Sequence, residues 1–156
     1  MKQFLRSFLL LLLTLVFLGG SGFAQTTVTF DATTDKSSET TLTKDGVTLQ
    51  IQSNKGNLNQ GSYYQCYSGA NFTVSSNVDI TKIEFSCTAS DKNKYGPGCY
   101  STKTGTYSYS DKTGTWNGTA SSVVFAASSQ VRMTKVVVTL AAAKTLKSLT
   151  VSGEPT

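Results

Sequence analysis

The sequence predicts an all-β domain, a two-sheet antiparallel β-sandwich, behind an export signal. Three observations carry this. Apolar residues recur at every second position in many short runs, turn signals rich in Gly, Asn and Pro separate those runs, and Thr, Ser, Val and Tyr stand where a helical protein would carry helix formers. β-Branched and aromatic side chains fit a pleated, half-buried surface. Alternation sends one row of side chains inward and the other toward water, so one-sided strands need a second layer to cover them. Seven to nine strands are expected. A jelly roll is the preferred connectivity and an immunoglobulin-like order the runner-up, because patterning alone does not choose between them.

The first 24 residues read as a signal peptide rather than as part of the fold. Lys2 and Arg6 supply early positive charge, Phe8 to Leu18 an apolar run, and Gly22 and Ala24 the small residues before a cleavage point. A largely apolar run of eleven residues is short for a bilayer span, so no membrane span is expected after processing. Cleavage after Ala24 leaves 132 residues, enough for one domain. Twelve basic residues then face nine acidic ones, a balance of +3. The lysines are scattered without a basic run, which argues against a nucleic-acid partner.

In chain order, Val28 and Phe30 open the first alternation. Val47, Leu49 and Ile51 form the second, after a turn at Lys44-Asp45-Gly46. Ser53 to Ser62 reads as a long exposed loop, since Leu58 alone is apolar in it. Ala70, Phe72 and Val74 alternate next, and Ile83, Phe85 and Cys87 follow a turn at Ser76-Asn77. A second long loop, Ala89 to Gly105, holds Gly96-Pro97-Gly98. Tyr107 and Tyr109 alternate before turns at Lys112-Thr113-Gly114 and Asn117-Gly118, and Val136, Val138 and Leu140 complete the set. The domain therefore spans residues 25–143. Residues 144–156 read as a linker or the start of a truncated following module, with Leu149 and Val151 as its first strand.

Several of these segments, taken together, resemble the N-terminal β-sandwich region of secreted multi-domain proteins of the Bacteroidetes. They are Gly69-Ala70-Asn71-Phe72-Thr73-Val74, Ile80-Thr81-Lys82-Ile83-Glu84-Phe85, Gly114-Thr115-Trp116-Asn117-Gly118, Ser122-Val123-Val124-Phe125 and Val131 to Thr139. The tail from Leu146 to Thr156 is similar to the start of a bacterial immunoglobulin-like repeat. The resemblance implies a fragment of an exported surface protein with downstream domains of its own, located in the periplasm, at the cell surface or outside the cell. It carries over no catalytic residue.

Three cysteines enter an oxidising compartment. Cys87 with Cys99 is the preferred disulfide, because it would close the polar loop around Gly96-Pro97-Gly98, at about 3 kcal/mol in the chain-entropy view. Cys66 with Cys87 is the competing pair. Histidine is absent. That excludes Ser-His-acid hydrolysis and the common histidine zinc sites, and it denies a cysteine nucleophile its usual base. Glu84 is the one carboxylate central to a strand, on the outward parity. No enzymatic activity is expected.

Two readings of function remain ahead of a glycan-active enzyme, the least favoured one. One is a non-catalytic accessory or adhesion module of an exported surface protein, which needs no ligand site and whose candidate partner is a glycan or a surface protein. The other is a carbohydrate-binding module in which Tyr63, Tyr64, Tyr67 and Tyr95 offer flat rings beside the amides of Asn57, Asn59 and Gln65. Tyr63 and Tyr64 are adjacent, so a regular strand cannot bury both. No cofactor is required. Calcium between Asp31, Asp35 and Asp45 is the one metal reading, although their spacing follows no calcium-loop signature.

Overall fold

Asp45 and Gly46 both adopt positive φ, 46° and 76°, and this two-residue turn joins the first hairpin in register, Lys44 opposite Val47. Consecutive positive φ values are the geometry that matches strand twist, and Asp-Gly accepts it at little cost. A computed structural model describes residues 25–142. The expected signal peptide and the segment 144–156 lie outside the described residues. Gln25–Ala141 form one compact unit.

Ten strands follow in order: β1 Thr27–Asp31, β2 Thr41–Lys44, β3 Val47–Ile51, β4 Gly56–Asn57, β5 Tyr64–Cys66, β6 Asn71–Cys87, β7 Tyr100–Thr102, β8 Thr106–Ser110, β9 Thr113–Ala127 and β10 Val131–Leu140. No α-helix occurs among the described residues. The all-β antiparallel class is the one the alternation predicts, and the inward rows are those expected: Leu49, Phe72, Ile83, Phe85, Val136 and Val138 are fully buried.

The layers are not separate hydrogen-bonded sheets, as jelly-roll and immunoglobulin orders would make them. β6 pairs β9 along most of its length, while its other edge takes β3 at Phe72–Ser76 and then β10 at Ile80–Cys87. β9 carries β8 and β7 on its outer edge. β10 carries β5 at Val131–Met133 and β1 at Lys135–Thr139. All ten strands therefore belong to one curled sheet. Phe72 and Phe85 lie on the same strand, and a straight strand would separate them by roughly 40 Å. Their ring centroids are 5.9 Å apart, and Phe85 meets Phe125 at 4.8 Å. The sheet therefore folds its two limbs over one shared core.

Two expected turns are bends inside long strands. At Ser76-Asn77 the pairing of β6 with β9 is interrupted between Ser75 and Ile80, and the Ser76 hydroxyl accepts the Val78 amide at 3.2 Å. At Asn117-Gly118 the chain continues through β9, and the glycine serves packing instead. An added Cβ there would stand 2.6 Å from Cζ2 of Trp116. The actual turn between β8 and β9 is Asp111-Lys112, with Asp111 at φ 49°. The two long loops also hold structure. The first contributes β4, and the second forms a 3-10 turn, Pro97–Cys99, followed by β7.

Candidate functional site

β10 alternates strictly at its start. Val131 and Met133 are fully buried, so Arg132 between them projects from the outer face. Gln65 of β5 is its cross-strand partner, and Asn57 of β4 is the partner of Gln65. Paired residues share a face, so Asn57, Gln65 and Arg132 make one outward row across three strands. Tyr63 precedes β5 on the parity of Gln65. Tyr95 arrives from the loop before the 3-10 turn: its amide donates to the Gln130 carbonyl at 2.7 Å, and its own carbonyl accepts the Arg132 amide at 3.3 Å.

These placements bring two tyrosine rings onto one guanidinium. Arg132 Cζ lies 4.6 Å from the Tyr63 centroid and 3.8 Å from the Tyr95 centroid. Lys94 Nζ stands 5.2 Å from the Tyr95 ring as well. Each such contact contributes about 0.5–1 kcal/mol when exposed and ~2 kcal/mol when desolvated. The backbone pays for the arrangement, because Tyr95 sits at φ +82°, a left-handed conformation unusual for an aromatic residue. Arg132 Nε is shut away from solvent with no hydrogen-bond partner among the described residues. Neither ion pair of the described residues, Lys44–Asp35 and Lys82–Glu84, involves Arg132.

The expected ligand residues divide. Tyr63, Tyr95, Gln65 and Asn57 come together around Arg132, and Gln65 is 8% exposed in that row. Asn59 is exposed beyond β4, where its amide donates to Asn57 Oδ1. Tyr67 follows β5 with its ring 40% exposed, and its amide donates to the Lys55 carbonyl. Tyr64 is a correction. It is fully buried, it donates its hydroxyl to the Asp35 carbonyl at 2.7 Å, and burial raises its pKa well above the ordinary phenol value. Three consecutive residues of β5, Tyr64, Gln65 and Cys66, are all buried, so alternation does not leave the outward one exposed here. Arg132 is the candidate residue that the sequence reading did not name. Its signal was a lone charge inside an apolar alternation, Val131-Arg132-Met133.

The expected disulfide is also corrected. Cys66, Cys87 and Cys99 are all free and buried. Cys99 turns its thiol into its own loop, toward the carbonyls of Asn93 at 3.4 Å and Lys92 at 3.6 Å. That loop is closed without a bridge, by Gly98 N–H to Asp91 O at 2.7 Å and the Asp91 amide to the Asp111 carbonyl at 2.6 Å. Burial pushes the Cys87 thiol up to about 12, with Cys99 adding to the effect, and the Cys66 thiol up to about 11.

Of the expected metal residues, Asp35 is engaged by a lysine. Lys44 Nζ donates to both oxygens of Asp35, at 3.0 and 3.1 Å, and to the Thr29 carbonyl at 2.9 Å. Asp35 also accepts the Asp31 amide, and that bond is the first cause of its lowered pKa. Asp31 is occupied by Thr33, and Asp45 belongs to the β2–β3 turn. Among the described residues no group of three donors lies together for a metal. In comparisons with known proteins, no family model, no curated protein and no solved structure matches the chain.

Proposed function

We propose that the chain is a non-catalytic accessory module of an exported surface protein and that it binds glycans at the Tyr63–Arg132–Tyr95 stack. The observation that carries this reading is the stack itself, set beside the amides of Gln65 and Asn57 on the outer face of the sheet. Planar donors, rigid rings and amides in one row are what a polyhydroxylated ligand uses. The leader-like first 24 residues and the resemblance to secreted Bacteroidetes proteins support export. The absence of histidine and the engagement of Asp35 by Lys44 support a role without catalysis.

A groove on the other limb, between Thr102, Lys103, Ser122 and an exposed Val124, offers hydroxyls and a cation but no aromatic ring. It is the weaker candidate for a sugar. The test is a glycan array probed with the purified protein and with Tyr95→Ala. Saturable binding to a defined glycan set, lost in the variant, supports the reading. Equal signals from both proteins on every glycan overturn it.

A further inference from the structure

We infer that the ligand of this site is an acidic sugar, whose carboxylate is taken by the edge of Arg132. The inference rests on the glycan reading above and narrows it. Tyr63 and Tyr95 lay their ring surfaces against the guanidinium, 4.6 and 3.8 Å from Cζ. Ring faces used in this way are not free to stack on a sugar. Recognition therefore passes from the rings to the arginine they hold, and an arginine selects an anion.

Three features make Arg132 a receiver rather than a solvated surface charge. It has no carboxylate partner among the described residues. Its Nε is buried and unpartnered among them, so the cation is partly stripped of water before any ligand arrives. Stripping strengthens its pull on a counter-charge, because the local dielectric is low. Its terminal nitrogens make no hydrogen bond among the described residues, and the residue as a whole is only partly buried. Two parallel N–H donors in one plane match the two oxygens of a carboxylate, and the rings fix that plane in advance. Lys94, 5.2 Å from the Tyr95 ring, adds a second positive charge. Asn57, partly exposed on the same face, is the amide of the row that a sugar hydroxyl could reach, while Gln65 is largely covered between it and Arg132.

The energetic pressure is consistent across the site. An aromatic residue held at φ +82° keeps a conformation that L side chains disfavour. A cation left without a partner beside a buried nitrogen carries a cost of its own. The unpaired charge is compensated when an anion docks against the fork, while the Tyr95 backbone stays as it is.

The test is isothermal titration of the purified protein with uronic-acid oligosaccharides, the same oligosaccharides as methyl esters, and sulfated oligosaccharides of equal length. The inference expects the free acid to bind at least tenfold more tightly than the ester. It expects the affinity to fall as salt rises through about 0.1 M, where charges are screened beyond ~10 Å, Arg132→Gln to abolish binding, and Arg132→Lys to recover part of it. The ester comparison needs no variant, so it stands even if an Arg132 substitution perturbs folding. Equal binding of acid and ester overturns the acidic-sugar inference and leaves glycan binding intact. Tighter binding of the sulfated series overturns the carboxylate assignment. No binding by any of the three classes, with none on the glycan array, overturns both readings.

Discussion

Gly118→Ala replaces one hydrogen by a methyl group in the middle of β9, and the structure sets the size of the penalty. The new Cβ would stand 2.6 Å from Cζ2 and 2.8 Å from Cη2 of Trp116, and 3.2 Å from Gly105 Cα. Carbon atoms pack at about 3.5–4.0 Å, so the overlap is roughly 1 Å. The indole has nowhere to go. It is fully buried, and its Nε1 donates to the Thr104 carbonyl at 2.6 Å. A Cβ on Gly105 would likewise approach that nitrogen to 2.5 Å. Overpacking of this kind costs about 1–3 kcal/mol, and alanine recovers roughly 0.5–1 kcal/mol over glycine within a strand. A net loss of about 0.5–2 kcal/mol follows, near 4 °C of melting temperature per kcal/mol for a domain of this size. Trp116 is the chain's single tryptophan, so its emission reports the same event at the same place as the thermal melt. The expected result is a melting temperature lower by ~2–8 °C with altered indole emission. Gly46→Ala is the contrast: nothing lies within 4 Å of its added Cβ, and only its φ of +76° objects. That variant should lose about 1–2 kcal/mol while leaving the emission unchanged. A Gly118→Ala protein that melts with wild type would refute the steric reading and return Asn117-Gly118 to ordinary turn chemistry.

Tyr95→Gly relieves the left-handed backbone and removes the ring, so it should melt above Tyr95→Ala, which loses the same ring contacts but keeps the strain, and both should lose ligand, whereas Tyr95→Phe keeps both stability and binding; melts paired with titrations check this. Gly56→Ala drives a Cβ to 2.6 Å from Ile51 Cγ2 and against the Gln65 carbonyl, and should cost about 1–3 kcal/mol in a urea melt and displace the Asn57–Gln65 row, weakening ligand binding together with stability. Cys66 and Cys87 should resist alkylation in the folded protein and react in urea, with pulse labelling as the readout. Their folded pKa values, about 11 and about 12, exceed the ordinary thiol value of 9.0, so above pH 9 the unfolded chain holds fewer protons and stability falls as pH rises toward 11–12; melts that are flat from pH 8 to 11 contradict this. Asp35 runs the other way, since its pKa is lowered from 3.8. Its contribution is present above that value and is lost as pH falls through the folded one, a loss that Asp35→Asn should flatten in an acid titration.

The fold was legible where a two-residue period decides the outcome. Val47, Leu49 and Ile51 have no parity but one that buries all three, and the same holds for Phe72 with Val74 and for Ile83 with Phe85. The rule fails where one residue type answers two demands. Asn117-Gly118 reads as a turn because glycine tolerates positive φ, yet Gly118 is required by the Trp116 ring. That ring's other neighbour, Gly105, is remote in sequence, so no local window exposes the need. Ser76-Asn77 misleads in a related way. Its hydroxyl does cap a local amide, but the chain bends there without reversing, and the two expected strands become a single β6.

The site was half legible for a reason of the same kind. Amide-bearing loops next to tyrosines pointed to Tyr63, Tyr95, Gln65 and Asn57, and pairing brings those four to one face. What joins them is a register, Arg132 opposite Gln65, between strands far apart in the chain. Had β5 and β10 slipped by one residue, Arg132 would stand opposite an inward-facing neighbour and Tyr63 would lose its cation. Tyr95 reaches the stack from a third segment, through a backbone conformation that its own sequence disfavours. An arrangement that depends on two registers and one strained φ belongs to the topology rather than to any motif. A family resemblance built on core motifs therefore carries no information about it, because Gly69 to Val74 or Ile80 to Phe85 can persist unchanged while a single substitution at Arg132 removes the site.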